Sequence, residues 1–145
     1  MKEIREDIQI LAPAGVVWSI LMDFEKYPEW NPFILSISGK KEKGAKLKVK
    51  LQPLGQRTMT FRPTVIELET GKHFAWLGKV LFHGLFDGEH HFKLIEKDEH
   101  TTLFRHYEYF SGILVTPLMK NLMGPTREGF AAMNLALKQR AEQIK

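Results

Sequence analysis

Residues 118–144 read LMKNLMGPTREGFAAMNLALKQRAEQI. In this stretch Leu118, Leu122, Phe130, Met133, Leu137, Ala141 and Ile144 recur three, four or eight positions apart. That spacing places them along one face of an α-helix, so the stretch reads as one long helix with an apolar stripe. Lys138 and Arg140 near its end suit the negative pole of the helix dipole. Gly124-Pro125 marks a place where the helix kinks or breaks. A helix this long with one apolar face has to lie across a partner surface, and the preceding chain supplies a sheet.

From Phe33 to Ser111 the hydrophobic period is two. Strands are expected over about 34–39, 45–52, 57–69, 73–81, 86–97 and 101–111. Between them stand Gly39 with Gly44, Pro53-Leu54-Gly55, Thr70-Gly71, His83-Gly84 and Lys97-Asp98-Glu99, all turn chemistry. Connections this short make neighbours antiparallel, because a parallel crossover needs a dozen residues or more. Further upstream, Ile4, Glu6, Ile8 and Ile10 alternate on a first strand over about 3–11. Pro13 then opens a short amphipathic helix to about residue 22, with Val17, Ile20 and Leu21 on its apolar side. Pro28 and Pro32 interrupt the next segment, leaving one or two helical turns held by Tyr27 and Trp30. Trp18, Tyr27, Trp30 and Phe33 are read as packing that closes one end of the sheet.

The predicted class is therefore α+β: a first strand, two short helices, six meandering strands and a long C-terminal helix. A seven-stranded antiparallel sheet twists, and the twist curves it around the helix. No repeat, linker or low-complexity tract divides the chain, so residues 1–145 are expected to form a single domain.

Composition narrows the function. The chain has 145 residues, 43% hydrophobic and 26% charged, as in a soluble globular protein. It has no cysteine, which excludes disulfides, thiol catalysis and cysteine metal sites. The charged N-terminus lacks the apolar run of a secretion signal, and a cytoplasmic location is expected. The most apolar window, residues 110–123, is too short to span a bilayer and contains Pro117 and Lys120, so no stable membrane insertion is expected. Net charge is +4, with a dense basic run at Lys40, Lys41, Lys43, Lys46, Lys48 and Lys50. Its lysines alternate with Leu47, Val49 and Leu51, as on the outer face of a strand. A solvated face, not a nucleic-acid site, is the expected reading; an acidic partner or anionic surface is the alternative. No phosphate loop and no serine elbow occur, and no histidine pair has a helical metal-ligand spacing. No cofactor and no metal are expected, and the chain is read as a monomer or homodimer.

Several local motifs resemble the START-like (SRPBCC) superfamily, in particular its bacterial polyketide cyclase/dehydrase-like branch. They are Ala12-Pro13-Ala14 with Val17-Trp18, Asp23-Phe24, and Tyr27-Pro28-Glu29-Trp30-Asn31-Pro32-Phe33. Gly88-Glu89-His90-His91-Phe92, Glu108-Tyr109-Phe110-Ser111-Gly112, Gly129-Phe130 and Met133-Asn134 complete the set. The resemblance covers essentially the whole chain and implies a helix-grip fold with a cavity between sheet and helix. It implies no particular reaction, since the superfamily includes lipid and hormone binders as well as cyclases.

Alternation together with that resemblance points Phe74, Trp76, His90, Phe92, His106, Glu108 and Phe110 inward, and adds Met123 and Phe130 from the helix. These are the candidate ligand-binding residues. His90, His106 and Glu108 would meet in one apolar chamber and are the candidate catalytic residues, a histidine beside a carboxylate being suited to general acid–base work. The alternative is a buried polar network that satisfies itself and only orients a ligand. The expected role is binding of a small hydrophobic molecule such as a lipid, polyketide or aromatic metabolite. A cyclase, dehydratase or isomerase is the second expectation. The cavity mouth is expected near residues 53–57 and 82–85.

Overall fold

A computed structural model of the chain describes residues 2–79 and 84–144. Strand β1 (Lys2–Ile10) leads into α1 (Ala14–Met22), a 3₁₀ turn (Phe24–Lys26) and α2 (Tyr27–Trp30). Strands β2 (Ile34–Gly39), β3 (Leu47–Leu51), β4 (Met59–Phe61), β5 (Thr64–Glu69), β6 (His73–Lys79), β7 (Asp87–Asp98) and β8 (Thr101–Ser111) come next, and α3 (Val115–Glu142) ends the fold. All strand pairs are antiparallel, in the orders β1-β8-β7-β6-β5 and β2-β3-β4.

The strand expected over 57–69 is two strands. Pro63 separates them, since it has no N–H to give to a ladder. The two sheets stay joined there: Leu47 N–H donates to the Pro63 carbonyl (2.9 Å), and Val65 N–H donates to the Ala45 carbonyl (2.8 Å). The curved antiparallel surface is thus continuous in effect, with its fourth strand broken at a bend. Residues 80 and 81, the end of the strand expected over 73–81, lie outside the described residues.

The long helix starts earlier than its hydrophobic stripe suggests, at Val115. Pro117 falls in its first turn, where a missing N–H costs nothing. Pro125 lies inside the helix, which continues through it without a break. Phe130, Met133, Leu137 and Ala141 are fully buried against the sheet. Leu47, Val49 and Leu51 are buried while the lysines alternating with them are exposed, as their pattern predicts. Tyr27 is also fully buried and donates its hydroxyl to the Leu21 carbonyl at 2.8 Å, tying the two short helices together. Asn31 Oδ1 accepts from the backbone N–H groups of Phe33 and Ile34, which turns the chain into β2.

That turn delivers Phe33 to the centre of the fold, edge-on to Phe130 with ring centroids 5.4 Å apart. Helix and ring approach so closely that a Cβ on Gly129 would stand 2.4 Å from Phe33 Cδ1. Gly129→Ala is therefore expected to destabilise the fold by about 1–3 kcal/mol from overpacking, despite alanine's better helix propensity. Urea unfolding measures it; an unchanged or raised midpoint would show that Phe33 has room to move.

Candidate functional site

The strand registers bring the three candidate catalytic residues together. His90 on β7 pairs with Glu108 on β8, and His106 pairs with Phe92 one step further along the same face. No bulge interrupts this part of the ladder, the nearest lying between Glu96 and Asp98, so the inward faces are those read from alternation. His91 takes the opposite face, where its ring nitrogens meet His73 (2.8 Å) and Glu89 (2.7 Å).

The inward groups form a polar chain. Asn134 of α3 donates its amide N–H to the Glu6 carbonyl of β1 at 3.0 Å. Its other atom, Oδ1, therefore faces His106 Nδ1, 3.0 Å away, and that nitrogen must carry the proton. The two histidines meet at 2.7 Å through their Nε2 atoms. A neutral His106 protonated on Nδ1 can only accept there, so His90 holds its proton on Nε2. The remaining nitrogen, His90 Nδ1, is a bare acceptor. It lies 3.2 Å from Glu108 Oε1, without hydrogen-bond alignment, and has no other partner among the described residues.

Burial governs the electrostatics of the group. Desolvation pushes the Glu108 carboxyl up to about 8. The same cause drives the His90 imidazole down to about 3, and holds His106 well below its ordinary value, with His90 adding to the effect. A bare lone pair on His90 beside Glu108 acts in the same direction, favouring the protonated acid. At neutral pH the group is thus an uncharged acid beside two uncharged imidazoles.

A cavity of about 340 Å³ opens between sheet and helix at one end of this chain. Its wall is apolar: Phe33, Leu51, Met59, Phe61, Phe86, Phe110, Leu118, Met119 and Leu122 contribute most of it. Glu108 and Lys79 are the ionisable side chains in the lining. Lys79 is exposed, whereas Glu108 is 13% exposed. Two glycines keep the space open. A Cβ on Gly88 would lie 2.5 Å from Glu108 Oε2, and one on Gly78 would press on the Phe61 ring at 3.2 Å.

Of the nine residues expected at the ligand, Glu108 and Phe110 line this cavity. Phe74, Trp76, Phe92, His90, His106 and Phe130 are inward but lie behind it, in a solid aromatic core. His106 stacks on Phe130 at 3.9 Å, and Trp76 lies 4.9 Å from His90. Met123 is half-buried against the core, and the helix meets the cavity through Leu118, Met119, Leu122 and Thr126 instead. The spacing of four along Leu118, Leu122, Thr126, Phe130 and Asn134 is the signal that would have found this ridge, Asn134 included. Of the expected mouth, Pro53 lines the cavity, while residues 82 and 83 of the other expected loop lie outside the described residues. Among the described residues no group of three or more His, Asp or Glu is placed to hold a metal ion. No described helix is long and apolar enough to cross a membrane.

A curved antiparallel sheet gripping a C-terminal helix over an internal cavity is the START-like architecture. Residues 1–142 match the sequence profile described as polyketide cyclase / dehydrase and lipid transport, and the chain belongs to that family. Solved structures agree on the fold. A START superfamily protein from Mycobacterium smegmatis is 23% identical over 99% of both chains, with a TM-score of 0.73. The Zhui aromatase/cyclase from Streptomyces sp. R1128 is 16% identical, covering 98% of this chain and 94% of that one, also at 0.73. The hypothetical protein jhp0584 from Helicobacter pylori is 14% identical over 97% and 88%, with a TM-score of 0.78. A search of curated proteins finds no match.

The raised carboxyl has a measurable consequence. Below its unfolded value of 4.5 Glu108 is protonated in both states; between 4.5 and about 8 only the native state holds the proton. Its contribution to stability is therefore complete at low pH and is lost as pH rises towards 8. The buried histidines act oppositely, removing stability as pH falls below 6.5, because the unfolded chain then takes protons the native one refuses. From pH 6.5 to 8 the wild type should lose urea resistance by a margin that Glu108→Gln does not show. Parallel pH profiles for the two proteins would mean that the carboxyl is ionised in the native state.

Proposed function

We propose that the protein binds a small hydrophobic molecule, of the size of a lipid fragment, polyketide or aromatic metabolite, in the cavity between sheet and helix. The observation that carries this reading is the cavity itself: about 340 Å³ of apolar wall, with one deeply placed acid. Ligand pockets are typically of this size and composition. Membership of a family described by cyclase, dehydrase and lipid transport supports it.

A second reading is favoured by one feature, the uncharged Glu108 carboxyl on the wall. A carboxylic acid that keeps its proton at neutral pH can hand it to a ligand oxygen, as a cyclase, dehydratase or isomerase requires. In that case Glu108 meets the ligand, while His90 and His106 sit behind it and set its proton. This differs from the sequence reading, which gave the acid–base work to a histidine beside the carboxylate.

The binding reading is tested with N-phenyl-1-naphthylamine, an uncharged probe whose fluorescence rises in apolar surroundings. Saturable enhancement is expected in the wild type. Leu122→Trp, which fills the cavity from α3, should abolish it while leaving the stability within about 1.5 kcal/mol of the wild type. Probe binding that survives the filled cavity would place the apolar site elsewhere.

A further inference from the structure

The polar chain ends in a feature that an apolar pocket does not need. Glu108 lies in the wall with its Oε2 in the space that a side chain at Gly88 would occupy. His90 Nδ1 stands 3.2 Å from its Oε1 and out of line, making no hydrogen bond to it. A carboxyl only 13% exposed in an apolar wall costs more to place there than a leucine would.

The tautomers running from Glu6 through Asn134, His106 and His90 present a lone pair, not a proton, to Glu108. Burial holds the acid as O–H, and the lone pair of His90 Nδ1 lies out of line to accept from it. The acid's remaining open side is the cavity. We infer that the ligand carries an uncharged oxygen acceptor, a ketone, aldehyde, ester or hydroxyl oxygen, which receives a hydrogen bond from the Glu108 carboxyl at the inner end of the pocket. This rests on the proposed binding function and names the chemical class that the site selects. Lys79, the other ionisable group in the lining, is exposed, whereas Glu108 is mostly covered.

The selection is read with a pair of ligands nearly equal in shape, 2-acetylnaphthalene and 2-isopropylnaphthalene, each displacing N-phenyl-1-naphthylamine. The quantity measured is the ratio of their affinities, compared between wild type, Glu108→Leu and Glu108→Gln. One hydrogen bond of ordinary strength corresponds to about a five- to tenfold change in that ratio. The ratio should fall by that factor in Glu108→Leu. In Glu108→Gln, whose amide still donates, it should stay near the wild-type value. A ratio that is the same in wild type and Glu108→Leu overturns the inference, as does its collapse in Glu108→Gln, which would mean that the carboxyl does not act as a neutral donor. If neither naphthalene nor the probe binds any of the three proteins, the binding function itself fails, an outcome distinct from either of these.

Discussion

The amide of Asn134 sets the polarity of the interior. Its N–H is committed to the Glu6 carbonyl, so its oxygen must face His106, and each proton along the histidine pair is placed in turn. Four elements are joined by this one line of contacts: β1, α3, β8 and β7. An apolar contact would hold the helix on the sheet equally well, but it would tolerate sliding. A directional chain tolerates little, since moving α3 by a residue would leave several buried polar atoms unpaired. The cost of burying imidazoles is met by keeping them neutral, and the same desolvation keeps the last acid in the line protonated.

The cavity is where close packing stops. From Phe104 through Phe92, Phe74 and Trp76 the inward side chains of β6, β7 and β8 fill the space beneath α3 completely. Towards the start of β7 the side chains give way to Gly88, and near the end of β6 to Gly78. The opposing helix narrows at the same level from Phe130 to Thr126 and Leu122. One end of the grip is therefore solid and the other open, and the boundary between them passes through Phe33, which touches both. The close approach of Gly129 to Phe33 belongs to this boundary: a bulkier residue on either side would move the wall as well as the core.

Much of this was legible in the sequence because its signals are periodic. The period of two along β6, β7 and β8 placed His90, His106 and Glu108 on one face, and the absence of a bulge in that segment kept them there. The stripe on α3 gave the helix, though not its start, because Val115 and Pro117 carry no periodic information of their own. Proline at 63 was a visible breaker in a run otherwise reading as one strand. Depth was not legible. Alternation says which way Trp76, Phe92 and Glu108 point, but all three point inward, and whether such a residue meets a neighbour or a void depends on the volumes opposite it. Glu108 meets a void because Gly88 stands beside it on β7, and Trp76 meets His90 because the registers align them. Met123 misses the cavity although Met119, one turn earlier on the same side of the helix, lines it, so face alone did not decide which residues meet the void.

Binding and catalysis make overlapping demands on this site, and the chemistry of Glu108 serves both. A donor that merely orients a ligand works best when it stays protonated throughout, far from its ionisation point. A general acid works best near that point, where giving up the proton costs little. At about 8 the carboxyl stands close enough to neutrality for either, and what separates the two roles is where the proton can return from. His90 stands behind the acid with a free lone pair, but burial holds it to about 3, so it is a poor reservoir. After a transfer to ligand, the carboxylate would have to be reprotonated from the cavity side, by the product or by water entering past the rim. The buried chain therefore favours a group that lends its hydrogen bond over one that turns its proton over rapidly, and the binding reading stands ahead of the catalytic one on that physical ground.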